Sequence, residues 1–302
     1  WGAPEEYKHP NDKLFKEMME TFNLDESDFK KTATTGDEPV SFRSPVKLKK
    51  ENITAIEKIA GKANVSIEPY DRLKYSTGKT IEEAIRLRKG KTGPVSDLIV
   101  HPQNKKIVKE LVTYCNTKKI PVYVYGGGSS VNFGLRPSKG GVTLVLNTHM
   151  NKIIKINEIN QTVTVEAGIM GPALEDALNR APEIYGTKLP YTCGHFPQSF
   201  EFSSAGGWVA TLGSGQASSY YGDAYNLVIS QEYITPAGSF KTLDYPAAAT
   251  GPKINDIMKG SEGTFGVLVE LTLKIFRYMP QNRQRFGFIF PTFESAITQE
   301  GK

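Results

Sequence analysis

Val124-Tyr125-Gly126-Gly127-Gly128-Ser129-Ser130-Val131 carries a short apolar run, Pro121 to Tyr125, into three consecutive glycines and two hydroxyl residues. Glycine has no Cβ and enters the φ > 0 region freely. A run of glycines therefore lets successive N–H groups face one concave nest and lets the main chain approach a bulky anion. The hydroxyls of Ser129 and Ser130 add donors at the same place, and a phosphate or pyrophosphate suits such a nest. The plainer alternative is a flexible connection between strands. The dinucleotide fingerprint G-x-G-x-x-G fails, because Val131 stands where its last glycine belongs. Gly78-Lys79-Thr80 and Gly90-Lys91-Thr92 look like P-loop ends, but the glycine needed five positions earlier is Leu73 in one and Ile85 in the other.

Outward from this turn, Asp97 to Val100 predicts a short strand, 103–118 a helix and Pro121 to Tyr125 a second strand, together a βαβ unit. Val142 to Leu146 predicts a third strand, and Lys152 to Ile156 and Thr162 to Glu166 flank the turn 157–161. Gly171 to Arg180 reads as a helix with Pro172 in its first turn. Leu227 to Thr235 and Phe240 to Leu243 surround the hairpin signal Pro236-Ala237-Gly238. Val267 to Phe276 predicts a long strand, Arg285 to Phe290 one more, and Pro291-Thr292-Phe293 opens a further element. One βαβ unit among several hairpins implies an α+β class. Residues 1–93, rich in Lys and Glu, read as a helical N-terminal extension. In it Thr54-Ala55-Ile56-Glu57 has capping-box spacing, and Ile81 to Leu87 reads as a short helix.

At 302 residues the prior is about two domains, and 39% hydrophobic with 23% charged residues is an ordinary globular composition. A net charge of +5 is too small and dispersed to argue for nucleic acid. It suits either an anionic ligand or a lysine-rich solvated surface. No apolar run approaches the ~18 residues of a bilayer span. The chain opens on Trp1 rather than Met, so residues are expected to precede it and any targeting segment would be out of view. Two cysteines, Cys115 and Cys193, make no disulfide framework. Cys115 falls on an apolar helix face as a small hydrophobe, and a reducing compartment is favoured. The Asn-x-Ser/Thr triplets at Asn52, Asn64 and Asn160 read as chance. Cys193-Gly194-His195 looks like a thiol–imidazole pair or metal site. Alternate residues of an extended chain face opposite ways, however, and no further Cys or His completes a ligand set.

Four more blocks follow at wide spacing: Val165 to Gly171, Pro197 to Ser204, Ala205 to Thr211 and Gly260 to Val267. With the glycine turn, their order from about Asp97 to Ile275 resembles the FAD-binding domain of the vanillyl-alcohol oxidase (PCMH-type) superfamily. The nearest family is alkylglycerone-phosphate synthase; glycolate oxidase and D-lactate dehydrogenase flavoproteins are more distant. The resemblance implies a PCMH-type domain of two α+β subdomains at 94–278, with the extension at 1–93 before it and the truncated start of a substrate or cap domain at 279–302. It implies that Val124, Tyr125, Gly126, Gly127, Gly128, Ser129 and Ser130 wrap the FAD pyrophosphate. A second segment would lie along the cofactor: Gln198, Ser199, Glu201, Phe202, Ser203 and Ser204, followed by Thr211 and Ser214. Glu262, Gly263, Thr264, Gly266 and Val267 would make a third, for which a simple tight turn is the alternative. A histidine that anchors flavin covalently in this superfamily usually sits beside the pyrophosphate glycines. None occupies Val122 to Val131, so dissociable FAD is expected.

Further implications are weighed residue by residue. Glu166, a carboxylate in an apolar strand, is either an edge or a capped residue. Gly206-Gly207 suit close packing on the isoalloxazine or on a strand, and Trp208 reads as core. Tyr220, Tyr221 and Gly222 match a family Tyr-Gly, and His195 a family Gly-His. The family has Asp at Gln198, and typically Arg at Leu212 and Ala247; an aliphatic side chain cannot replace a guanidinium that binds phosphate or carboxylate. The resemblance implies FAD-dependent ether-lipid precursor synthesis, with no catalytic side chain assigned in this chain. The rivals are oxidation of a small 2-hydroxy acid (D-lactate or glycolate type) and a flavin-binding paralogue without turnover. Expected partners are a small-molecule or lipid-phosphate substrate, a peripheral membrane contact and a homodimer, without nucleic acid. The expected location is cytoplasmic or membrane-peripheral, and peroxisomal for a eukaryotic synthase.

Overall fold

The computed structural model of the chain describes residues 10–29, 41–245 and 249–300. Two sheets frame it. The first contains β1 (Val65–Ser66), β2 (Leu98–Val100), β3 (Val122–Tyr125) and β4 (Val142–Val145), in spatial order β1-β2-β4-β3. The last three are mutually parallel and β1 is antiparallel to β2. Helix Lys105–Lys118 is the crossover from β2 to β3. Asn104 caps it by accepting from the Ile107 N–H, and Val108, Leu111, Val112 and Cys115 form its buried stripe. The expected βαβ unit is present, with β4 inserted between its two strands. Leu98-Ile99-Val100 is buried throughout, as a central parallel strand covered on both faces should be.

The chain continues through β5 (Ile153–Asn157), β6 (Thr162–Glu166), β7 (Tyr191–Thr192), β8 (Val228–Thr235), β9 (Gly238–Lys241), β10 (Val267–Lys274) and β11 (Phe276–Arg277). Five of these make an antiparallel sheet in the order β5-β6-β10-β8-β9, and β7 pairs with β11 in a small ribbon. The class is α+β, as expected. The crossover helix packs toward β8, and Lys105 Nζ bridges Glu232 on β8 (3.0 Å) and Glu270 on β10 (3.1 Å). Lys241 on β9 neutralises the same carboxylates. One continuous apolar core runs through both sheets. A smaller cluster of Ile99, Tyr125 and Val145, with Tyr75 and Leu135 against it, forms a second layer.

Several expectations need correction. Thr54 is no cap: its helix runs Lys50–Ala60 and begins on Lys49. Within the extension the capping box is instead Thr80 with Glu83, at the start of helix Ile81–Arg88. The long strand ends at Lys274, and residues 276–277 turn to pair with β7. The hairpin strand after Pro236-Ala237-Gly238 begins at Gly238 itself. Arg285 to Phe290 is not a strand, since no strand among the described residues pairs with it. The element opened by Pro291-Thr292-Phe293 is helix Phe293–Glu300. Glu166 lies inside the sheet between β5 and β10, and its Oε2 accepts the Lys152 N–H at 3.0 Å, so it is capped and not an edge residue.

Candidate functional site

A cleft of about 290 Å³ opens where β3 and β4 end, between the first sheet, helix Ala205–Thr211 and the inner face of the second sheet. Sites at the carboxyl ends of parallel strands are the general rule for such sheets. The glycine turn forms one wall. Leu146 N donates to Tyr125 O at 3.0 Å. Beyond that bond, the N–H groups of Gly126, Gly127, Gly128, Ser129 and Ser130 reach no acceptor among the described residues. Main-chain donors are otherwise nearly always satisfied in folded proteins, so five in a row, on half-buried or buried residues along a cleft, are a ready anion nest.

The glycines are demanded first by the protein's own packing. A Cβ at Gly127 would stand 2.0 Å from Phe202 O, and one at Gly128, whose φ is +72°, would stand 2.0 Å from the Tyr125 hydroxyl oxygen. The turn thus lies tightly on segment 199–204 on one side and on the Tyr125 ring on the other. Tyr125 is buried beneath the turn, donates to Gly127 O at 3.4 Å, and meets Tyr75 edge-on with ring centroids 5.0 Å apart.

Of the residues expected to touch the cofactor, Val124, Gly126, Gly127, Gly128, Ser129, Ser130, Ser199, Ser203, Ser204, Thr211, Glu262, Gly263 and Gly266 line this cleft. Seven do not. Tyr125 supports from below. Phe202 lends its carbonyl to the packing of Gly127. Gln198, Glu201 and Ser214 are exposed outside the cleft. Thr264 is bound within its own turn to Ser261 O, and Val267 is buried in β10. The serines differ in what they can offer. Ser130 Oγ directs its proton to Asn132 Oδ1 at 2.9 Å, so the donor this residue presents is its amide. Ser204 Oγ accepts the Gly207 N–H as helix cap, and Ser203 Oγ accepts from Trp208 Nε1 at 2.7 Å, leaving both protons available. Among the cleft-lining residues Glu262 is the only carboxylate, and no His, Lys or Arg stands beside it. Apolar members such as Leu135, Ala167 and Leu268 have no polar signal in the sequence and meet only through the packing of the sheets.

His195 stands behind this wall. It is 1% exposed, its ring lies 4.8 Å from that of Trp208, and neither ring nitrogen has a partner among the described residues. Burial lowers its pKa to about 4, against a smaller opposing pull from Asp223. Cys193 Sγ donates to the His195 carbonyl at 3.5 Å, not to its ring, so the thiol–imidazole pairing is absent. Burial raises both thiols, that of Cys115 to about 12. The described residues contain no group of acidic, His and Cys side chains fit for a metal. Trp208 is core and wall at once. Tyr220 is exposed, whereas Tyr221 packs on Phe276 with centroids 4.6 Å apart. Leu212 caps its helix in the left-handed region and covers Gly260. Ala247 lies outside the described residues.

These features fit FAD. Its diphosphate bears only acceptor oxygens, and the nest offers only donors. The flavin and ribityl portions need a long, largely apolar slot with scattered hydroxyls, which the Ser203–Thr211 side of the cleft supplies.

Comparison with known proteins agrees. A family model described as an FAD binding domain matches residues 96–244. An alkyldihydroxyacetonephosphate synthase of Caenorhabditis elegans is 35% identical over 240 residues, covering 78% of this chain and 39% of that protein. A mitochondrial D-lactate dehydrogenase (cytochrome) of Arabidopsis thaliana is 31% identical over 204 residues, 67% of this chain and 34% of its own. A solved alkyldihydroxyacetonephosphate synthase superposes with a TM-score of 0.77 at 30% identity, covering 85% of this chain and 46% of that one. The chain thus spans less than half the length of these relatives. From motif order, paired sheets, donor-lined cleft and these likenesses together, the chain belongs to the PCMH-type FAD-binding superfamily, on its alkyldihydroxyacetonephosphate synthase side.

Proposed function

We propose that this chain is the flavin-holding part of an FAD-dependent enzyme of the alkylglycerone-phosphate synthase type, which makes an ether-lipid precursor. The observation that carries this reading is the row of five unengaged amides, Gly126 to Ser130, beside an apolar slot. The pyrophosphate would sit on those amides. Ser203 and Ser204 would donate to ribityl or phosphate oxygens, with Ser199 and Thr211 on the same wall. Gly206, Gly207 and Trp208 would back the ring system, and Gly263 and Gly266 would close the opposite side. Holding is non-covalent. Bound FAD supplies the electrophilic and redox-active centre, while the chain supplies orientation and exclusion of water. The described cleft lining carries one carboxylate, that of the exposed Glu262, and no His, Lys or Arg. The proton-transfer and substrate-binding groups of the whole protein would accordingly lie outside this cleft.

A second reading has specific support. A D-lactate dehydrogenase is among the relatives, and Leu212 stands where the synthases typically have Arg, a loss that favours neither chemistry and supports a chain without turnover. A 2-hydroxy-acid dehydrogenase is therefore the rival chemistry, and a flavin carrier without turnover is the limiting case. The test is an absorption spectrum of the whole protein followed by two assays. The synthase reading expects yellow protein that exchanges the acyl group of an acyl-dihydroxyacetone phosphate for a fatty alcohol and is not bleached by D-lactate or glycolate. Bleaching by either acid would replace it with the dehydrogenase. Colourless protein that takes up no flavin would end all three readings.

A further inference from the structure

Residues 76–83 lie before the first long strand of the first sheet and belong to the stretch whose sequence carries no binding motif, yet they touch the anion nest directly. Three successive amides there are divided in a regular way. Gly78 N donates to Glu83 Oε1 at 3.0 Å and Thr80 N donates to Glu83 Oε2 at 3.1 Å. The amide between them, Lys79 N, donates instead to Ser130 O at 2.7 Å. One carboxylate thus clamps the two outer amides and leaves the middle one directed at the last residue of the nest.

The contact is close from both sides. A Cβ on Gly78 would stand 2.7 Å from Ser130 O. Beyond Ser130, its own Oγ is fixed between Asn132 Oδ1 and the Gly134 N–H, each at 2.9 Å. Glu83 is itself held by the Thr80 capping box at the start of helix Ile81–Arg88. Drawing the Ser130 carbonyl toward Lys79 fixes the orientation of the peptide plane that follows it. It also anchors the end of the turn opposite to β3. A nest works as an anion site only while its N–H groups converge, and an unanchored glycine run samples many conformations.

We propose that Glu83 is a positioning residue for the cofactor. Through the Gly78–Thr80 bend it holds Ser130, and with it the converging amides of Gly126 to Ser130. The inference rests on the reading that these amides take the FAD pyrophosphate. It extends that reading to a carboxylate that bears the same charge as the ligand and never touches it. Glu83 has no expected effect on the isoalloxazine end of the slot.

The experiment compares two ligands on one protein. Affinities of the full apo-chain for FAD and for riboflavin, which lacks both phosphates, are measured by flavin fluorescence for wild type, Glu83→Gln and Gly78→Ala. Gln supplies one acceptor oxygen where two amides need one each, and Ala pushes against Ser130 O, so the variants disturb the contact from opposite sides. The expected result is a loss of FAD affinity of about tenfold, or ~1.4 kcal/mol, with riboflavin affinity changed less than about twofold. Hydrogen exchange supplies a second readout: FAD should protect the amides of residues 126–130 in wild type and fail to do so fully in the variants. A parallel loss of both ligands, or no loss of either, in whichever variant folds overturns the positioning role. Wild-type protein that binds riboflavin as tightly as FAD refutes the pyrophosphate reading itself, a different outcome from the first.

Discussion

The chain has two glycine-rich turns facing each other across one cleft, and they are built on opposite plans. In Gly126 to Ser130 every amide is unengaged by the described residues, while the space a Cβ would fill at the glycines is taken by the protein itself. In Gly260 to Gly266 several amides are committed to the fold. Gly260 N donates to Val209 O, Glu262 N to Ala210 O and Thr264 N to Ser261 O. There Gly260 and Gly263 have φ of +70° and +82°, the property that a tight turn into a strand requires. Both turns lean on helix Ala205–Thr211, the first through Ser204 and the second through Val209 and Ala210. Glycine content therefore does not identify a binding turn. What identifies one is whether its amides remain available once the chain has folded.

The sharpest way to break this contrast is Gly127→Ala. Its Cβ would meet Phe202 O, a main-chain atom that no rotamer change can move, so the turn must shift and the nest open. The expected result is a fall in FAD affinity of about 100-fold or more, ~2.7 kcal/mol, measured by flavin fluorescence; near-native affinity would show that the amides are not the anchor.

The wall shared by both turns offers the next test. His195 is buried and neutral, with its pKa lowered to about 4 from an ordinary 6.5, first by burial. Between those values the unfolded chain binds a proton that the folded chain refuses, so stability should fall as pH drops from about 6.5 toward 4 and level off below. The contribution is at most about 3 kcal/mol. Urea melts of wild type and His195→Gln should show the difference confined to that window, and identical pH slopes would contradict it.

A smaller effect is expected from the ion pairs that tie the crossover helix to the second sheet. Glu232 and Glu270 are paired neighbours on β8 and β10, neutralised by Lys105 and Lys241. Removing both lysines, K105A with K241A, leaves adjacent like charges and should cost about 1–2 kcal/mol. Added salt should recover part of the loss in a thermal melt; an unchanged melt would mean that the helix is held on the second sheet by apolar packing alone.

The mildest substitution completes the comparison. Gly263→Ala meets nothing nearer than Val124 Cγ2 at 3.9 Å, but must hold φ near +82°. A destabilisation of about 1 kcal/mol with FAD affinity within about threefold is expected from the left-handed backbone alone. A loss matching that of Gly127→Ala would erase the distinction between the turns.

Much of the frame was legible in the chain itself. Thr162 to Glu166 alternates and is a strand with those bounds, and Leu98-Ile99-Val100 lacks alternation and is buried on both faces. The order of glycine and serine blocks was enough to indicate the superfamily. Local pattern failed where a partner was missing or distant. Arg285 to Phe290 has strand composition but nothing pairs with it, and Thr54 has capping spacing but sits inside a longer helix.

The sequence by itself determined where the main chain can bend sharply and which faces must be buried. Both follow from side-chain volume and polarity over a few neighbouring residues. Only the tertiary structure decided which amides stay unengaged, because that depends on acceptors brought near from far along the chain. Phe202 O lies 75 residues from Gly127, and Lys79 N reaches Ser130 O across 51. Hydrogen bonds are short-ranged in space and indifferent to sequence separation, so no reading of the glycine run alone could have placed Glu83 behind it.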